Sequence, residues 1–169
     1  MIHPQVETSI KISLFIQIIT TLISLDGFQM KLSSNDEILK EILTIETIVQ
    51  IIEGFFYVWI MLALHDMKKM TPRRYIDWSI TTPIMLLSTI IYFKYNEYKE
   101  KQLNKYFTLG DFYTENKDNI HKIFIYNGLM LLCGFLGETG IIDKRIGIPL
   151  GFFFFYKSFN LIYYEYAIH

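Results

Sequence analysis

The sequence predicts an all-α integral membrane protein, and three observations support this fold class. Of the 169 residues, 51% are apolar and 17% are aromatic, and the mean hydropathy is +0.27, which is typical of membrane proteins. Five segments approach the roughly 20 apolar residues that are needed to cross a bilayer. Because backbone amides in lipid must be satisfied internally, these segments are predicted to be helices.

Polar interruptions mark the limits of the spans. The first span stops at Asp26 and Gly27, and the second stops at His65 and Asp66, ahead of two lysines. We predict a single transmembrane domain over 1–169. Its spans run over about 8–25, 42–64, 75–93, 123–142 and 146–168.

The connection at 94–122 has a different composition. It mixes lysines, carboxylates and aromatics, so it suits either a short helix at the membrane interface or a solvated loop, which we prefer. Eight basic loop residues lie on the same side of the membrane as this connection, and five lie on the other side. Because basic residues favour the cytoplasm, we predict a cytoplasmic loop at 94–122 and an N-terminus outside.

Charge and motifs argue against several classes of function. The net charge of −1 gives no basic surface for nucleic acid. Cys133 is a lone cysteine in an apolar stretch and cannot form an intrachain disulfide. No serine or cysteine nucleophile is matched with a histidine, and no metal or phosphate motif occurs. We therefore do not expect an enzyme or a metal site.

Four polar residues of the third span fall on one helical face, at intervals of three, four and seven. They are Arg74, Asp77, Thr81 and Ser88. Charged groups inside a membrane are costly and are usually functional. The plainer interpretation is that Arg74 and Asp77 pair near the interface as a snorkelling anchor. Within the same span, Pro83 removes a backbone donor, and the Thr82 hydroxyl can satisfy part of the freed carbonyl.

The run from Arg74 to Pro83 reads R-Y-I-D-W-S-I-T-T-P. It resembles the third helix (helix C) of microbial rhodopsins, in which R-Y-x-D-W-x-x-T-x-P frames the retinal Schiff base. The resemblance implies that Asp77 is the counterion and primary proton acceptor, and that Arg74 gates its extracellular side. It also implies a retinal pocket that includes Trp78, Thr81, Thr82, Pro83 and Met85. Ser88 departs from the pattern, because many proton pumps keep a carboxylic proton donor there.

The second span carries a polar stripe at intervals of four, three and four. Its members are Glu46, Gln50, Glu53 and Tyr57. Ionisable groups in such a place usually line a water path or a proton relay. The alternative is that Glu46 lies in the headgroup zone and that Glu53 is protonated and bonded to a neighbouring helix. The stripe resembles that of giant-virus rhodopsins that act as light-gated cation channels, and a carboxylate-lined seam attracts cations.

The fourth span contains Met130 and Gly134 one turn apart, followed by a G-E-x-G sequence. It is similar to helix D of the proteorhodopsin branch, which implies that Met130 and Gly134 border retinal. Small residues on a membrane helix face also serve close helix packing, which is the alternative interpretation.

Lys157 lies in the fifth span and is a candidate attachment point for retinal, because it is a lysine among apolar residues. The family's lysine helix has an aspartate four residues earlier, however, and Phe153 stands there. The span is instead similar to helix E. The resemblance therefore covers helices A to E, and we expect no Schiff-base lysine in this chain. Three explanations are possible. The chain is a fragment of a longer protein, which is our first choice; helices F and G lie on another chain; or the protein is a degenerate relative.

The predicted function is light-responsive cation transport with all-trans retinal, most simply as a light-gated cation channel. A light-driven proton pump without an internal donor is the first alternative, and a non-photoactive membrane scaffold is the second. The predicted partners are the lipid bilayer, cations or protons, and further copies of the chain in a homo-oligomer.

Overall fold

The computed structural model describes residues 4–62, 67–101 and 107–168. Five long helices follow one another in this part of the chain. They are α1 (Pro4–Gly27), α2 (Ile38–Met61), α3 (Met67–Glu100), α4 (Leu109–Glu138) and α5 (Lys144–Ile162). A single 3-10 turn (Ser34–Asp36) precedes α2, and a π-helical turn (Tyr163–Ala167) extends α5. The described ranges contain no β-strand, and all five helices are long and apolar enough to cross a membrane. The predicted all-α fold class is confirmed.

The predicted loop at 94–122 is wrong, because most of it is helical. The helix α3 continues to Glu100, and α4 begins at Leu109. Ion pairs one turn apart support the end of α3, where Glu97 accepts from Lys94 at 2.8 Å and from Lys101 at 2.7 Å. The cytoplasmic location of this connection stays a prediction. His65 and Asp66, at the predicted end of the second span, lie outside the described residues.

The start of α4 is fixed by a capping box. The Thr108 hydroxyl accepts a hydrogen bond from the Asp111 amide at 3.2 Å, and the Asp111 carboxylate accepts one from the Thr108 amide at 3.1 Å. A third partner comes from α2, because Glu41 accepts a hydrogen bond from the Leu109 amide at 2.8 Å. These bonds satisfy amides that a helix leaves free at its N-terminus.

The helices pack in chain order, each against the next. Short connections make them alternate in direction, so α1 and α3 begin where α2 and α4 end; we call this the N-terminal end of the bundle. The larger buried cluster lies at the opposite end and joins α2, α3, α4 and the π-helical turn. Large apolar side chains also cover the outside, as at Phe15 on α1, Phe55 on α2 and Phe152 on α5. Such a surface suits lipid rather than water.

Glycine allows α4 and α5 to approach closely. A Cβ atom on Gly147 would lie 3.1 Å from the Cys133 carbonyl oxygen and 3.2 Å from the Gly137 Cα. The two helices are joined by a tight turn at Gly140, whose φ of 77° favours glycine. Asp143 then caps α5 by accepting a hydrogen bond from the Arg145 amide at 2.8 Å.

Gly147→Ala should destabilise the bundle, because the added methyl group would press against the main chain of α4 and force the two helices slightly apart. We expect a loss of about 1–3 kcal/mol in the free energy of unfolding, measured by denaturant unfolding in detergent. Gly128→Ala is the matched control, since its Cβ would meet nothing within 4 Å. Equal losses for the two variants would contradict the close approach.

Candidate functional site

A cavity of about 320 Å³ lies at the N-terminal end of the bundle, between α1, α2 and α3. Asp77 is only 4% exposed beside it, and its Oδ1 atom has no hydrogen-bond partner among the described residues. The Nε atom of Arg74 is buried without a partner as well. Because unpaired buried charges are costly, this cavity is suited to a cationic ligand or to water. Its lining is Val6, Ser9, Ile10, Tyr57, Ile60, Met70, Arg74, Asp77 and Trp78.

Arg74 pairs with α4 instead of with Asp77. Its Nη2 atom lies 3.0 Å and 2.9 Å from the two carboxylate oxygens of Glu138, and the Thr71 hydroxyl donates to the same carboxylate at 3.1 Å. The guanidinium also lies 5.1 Å from the centre of the Trp78 ring. The interpretation of an Arg74–Asp77 anchor is therefore wrong, because the end of α4 offers both carboxylate oxygens at the point where α3 begins.

The two threonines of α3 serve different neighbours. Thr81 is fully buried and donates to the main-chain carbonyl of Asp77 at 3.1 Å. Thr82 donates to the Trp78 carbonyl at 2.6 Å and accepts a hydrogen bond from the buried Asn127 of α4 at 2.8 Å. Thr82 therefore ties α3 to α4. Pro83 follows it within α3.

Trp78 separates the Asp77 cavity from a groove of about 270 Å³ between α3, α4 and α5. The groove brings together Trp78, Met130 and Gly134, as predicted for the pocket, and adds Gly151 and Phe155. Ligand pockets are lined mainly by apolar and aromatic side chains, and the lining of this groove is of that kind.

Two predicted pocket residues have other contacts in the structure. A Cβ atom on Gly134 would lie 2.8 Å from the Tyr75 hydroxyl, so a larger residue at this position would displace the Tyr75 side chain. The Met85 side chain is 42% exposed, and its main-chain carbonyl accepts a hydrogen bond from Ser88 at 2.9 Å.

The polar stripe of α2 faces α1 and α3, and we call these contacts the polar seam. Glu46 accepts a hydrogen bond from the buried Ser88 of α3. Gln50 accepts one from Ser24 of α1 at 3.1 Å. The fourth stripe residue, Tyr57, lines the Asp77 cavity.

Glu53, the third residue of the stripe, also belongs to the polar seam. It accepts a hydrogen bond from Gln17 of α1 at 2.5 Å. The contact between Glu53 and a neighbouring helix agrees with the alternative interpretation of this residue. Glu46 accepts a hydrogen bond from Ser88 of α3, and its place in the headgroup zone stays a prediction.

Lys157 lies away from these features. It is on the exposed side of α5, with its Nζ atom 5.6 Å from the centre of the Phe153 ring. The Asp77 cavity is lined by α1, α2 and α3 alone among the described helices. This position agrees with the expectation that Lys157 is not the retinal lysine.

Sequence reasoning missed four residues that complete the site. Glu138 was noted only as part of a motif, although α3 must begin where α4 ends in an alternating bundle. Gln17 and Ser24 are seven residues apart, which places them on one face of α1, and that spacing could have identified them. Asn127, a lone amide in an apolar helix, carried no periodic signal.

An alternating bundle of apolar helices, with a buried carboxylate beside an arginine and a tryptophan, is the arrangement of microbial rhodopsins. The chain belongs to this family, since the family described as bacteriorhodopsin-like protein matches residues 8–168. Its members are retinal-based, light-responsive membrane proteins. The predicted location in a membrane is confirmed, whereas the orientation of the N-terminus stays a prediction.

One solved structure is similar to this chain in both sequence and fold. The crystal structure of the viral rhodopsin OLPVRII is 30% identical in sequence, with a TM-score of 0.75, and the match covers 94% of this chain and 69% of that chain. No curated protein matches the sequence. The predicted likeness to giant-virus rhodopsins is confirmed.

Thr82→Val should destabilise the bundle, because it leaves the buried Asn127 amide without its acceptor. We expect a loss of about 1–3 kcal/mol in the free energy of unfolding. Thr89→Val is the control, since the exposed Thr89 donates only to a carbonyl of its own helix. The double variant Thr82→Val with Asn127→Leu should recover most of the loss, and failure to recover it would contradict the assigned bond.

Proposed function

We propose that these five helices form the counterion side and the ion pathway of a retinal-dependent, light-gated cation channel. The observation that supports a channel best is the polar seam. It gives two carboxylates, Glu46 and Glu53, hydrogen-bonded polar partners on α3 and α1, with the Gln50–Ser24 hydrogen bond between them along α2. A carboxylate-lined path through lipid attracts cations and repels anions.

Retinal fits the two spaces on either side of Trp78. The groove at Met130 and Gly134 would hold its apolar part, and the Asp77 cavity would receive its positive end. When bound to a lysine amine, retinal supplies a light-absorbing cation. Asp77, with its unpartnered Oδ1 atom, would balance that charge.

The lysine itself is proposed to come from outside α1–α5. Among the described residues, no lysine lines the Asp77 cavity or the groove, and Lys157 is exposed, with its Nζ atom 5.6 Å from the centre of the Phe153 ring. A further stretch of polypeptide, either in the same protein or in a second one, would bring the amine to Asp77.

Gating of the channel would act on the hydrogen bonds of the seam. In the described state, Glu53 is bonded to Gln17 and Gln50 to Ser24, so direct protein contacts occupy the path. Opening would exchange these bonds for bonds to water. Small movements of α1 against α2 are sufficient for such an exchange, because each bond joins side chains of two different helices.

A light-driven proton pump is the second candidate, and the Glu46–Ser88 hydrogen bond favours it. Ser88 occupies the position at which many pumps keep a carboxylic donor. Glu46 brings a carboxylic acid from α2 to the same place, so it could return a proton after each cycle.

The spectrum of the chain with all-trans retinal tests the proposed counterion. When the chain is combined with a polypeptide that carries a retinal lysine, we expect an absorption band well to the red of free retinal. Asp77→Asn should shift this band further to the red or abolish it, because it removes the charge that stabilises the cation. Asp118→Asn, on the exposed face of α4, is the matched control. A red-shifted band from this chain alone would identify Lys157 as the attachment point and would overturn our placement of the lysine.

Voltage dependence separates the channel from the pump. In cells that express the same assembly with retinal, a channel photocurrent should reverse near the cation equilibrium potential, whereas a pump current keeps its sign. Glu53→Gln should reduce the channel current severalfold, because it removes a negative charge from the path. Glu165→Gln, at an exposed residue that is bonded to Asn119 and not to the seam, should leave the current unchanged. A current of constant sign that Glu46→Gln slows would favour the pump.

A further inference from the structure

We propose that Glu138 is the residue that positions Arg74: it draws the guanidinium across to α4 and thereby leaves the Asp77 carboxylate unpaired. Both oxygens of Glu138 lie within 3.0 Å of Arg74 Nη2. No hydrogen bond or ion pair joins Arg74 to Asp77, although both line the same cavity. The inference concerns the five helices alone, so it does not depend on the proposed function.

Asp77 is the natural competitor for the same guanidinium. It lies three residues after Arg74 on the same face of α3, and its Oδ1 atom has no partner. Arg74 has a donor to spare, since its Nε atom is buried without a partner. Two carboxylates therefore compete for one arginine, and in this structure Glu138 holds it.

Arg74 is the one cationic side chain among the described residues that line the Asp77 cavity. Glu53 of α2 acts on Asp77 as a like charge, and the described lining adds only the uncharged polar groups of Ser9, Tyr57 and Trp78. Arg73 is engaged elsewhere, because it donates to the Trp59 carbonyl and lies 4.6 Å from the centre of the Trp59 ring.

The Glu138 carboxylate has a second hydrogen-bond donor besides Arg74. The Thr71 hydroxyl donates to it at 3.1 Å, from a position one turn before Arg74 on α3. Charge-assisted bonds to two carboxylate oxygens are stronger than neutral hydrogen bonds, so the pairing with Glu138 is favoured as long as that carboxylate is charged. Its removal should release Arg74 to Asp77.

A double-mutant cycle on the chain in detergent, without retinal, tests the proposal. In the native background, Asp77→Asn should leave the melting temperature unchanged or raise it, because Asp77 lacks a partner. In a Glu138→Gln background, Asp77→Asn should lower the melting temperature by about 2–4 °C, because Arg74 would then be paired with Asp77. The difference should vanish when Arg74→Gln is also present. The same response to Asp77→Asn in both backgrounds would overturn the proposal.

Two controls separate positioning from simple support of the fold. Glu138→Asp keeps the charge, so Asp77→Asn should behave in that background as it does in the native one. Glu165→Gln removes a remote carboxylate and should not alter the response either. If Glu138→Gln does not fold, Asp77→Asn alone still decides the question: a clear fall in the melting temperature of the otherwise native chain would mean that Asp77 already has a partner, and the proposal would be wrong.

Discussion

Lipid offers polar side chains no hydrogen-bond partner, so most of those inside this bundle bond to other groups of the protein. That constraint explains the contacts of α2, whose Glu46 and Glu53 bond to α3 and α1. It also explains why Asn127 of α4 bonds to Thr82 of α3. In a medium as apolar as lipid, hydrophobic burial does little to order one helix against the next. Polar contacts between α1, α2, α3 and α4, together with close packing at Gly147 between α4 and α5, therefore determine which faces of these helices meet.

Asp77 departs from this rule, and the departure defines the site. Its surroundings provide burial, a cavity and a neighbouring tryptophan, yet its Oδ1 atom has no partner among the described residues. Every other member of the polar face of α3 is bonded within the protein. Because buried polar groups are usually satisfied, Asp77 Oδ1 and Arg74 Nε mark the place beside the cavity where a bound group would find partners.

Hydropathy and periodicity predicted the five helices and the polar faces of α2 and α3, because both depend on local spacing alone. The stretch at 94–122 was mistaken for a loop because its lysines and acids reduce hydropathy. Those same residues, such as Glu97 with Lys94 and Lys101, support a helix through pairs one turn apart. The partner of Arg74 could not be read from spacing, because Glu138 is 64 residues away and depends on how α3 meets α4.

The length of α3 has a mechanical consequence. Its 34 residues extend for about 50 Å, well beyond the roughly 30 Å of hydrocarbon, and Pro83 interrupts its hydrogen bonding near the middle. The part of the helix from Pro83 to Glu100 is about 25 Å long. A bend of about 10° at the proline would move the tip by about 4 Å. A small rearrangement beside Asp77 would thus displace the charged residues at the other end of this helix.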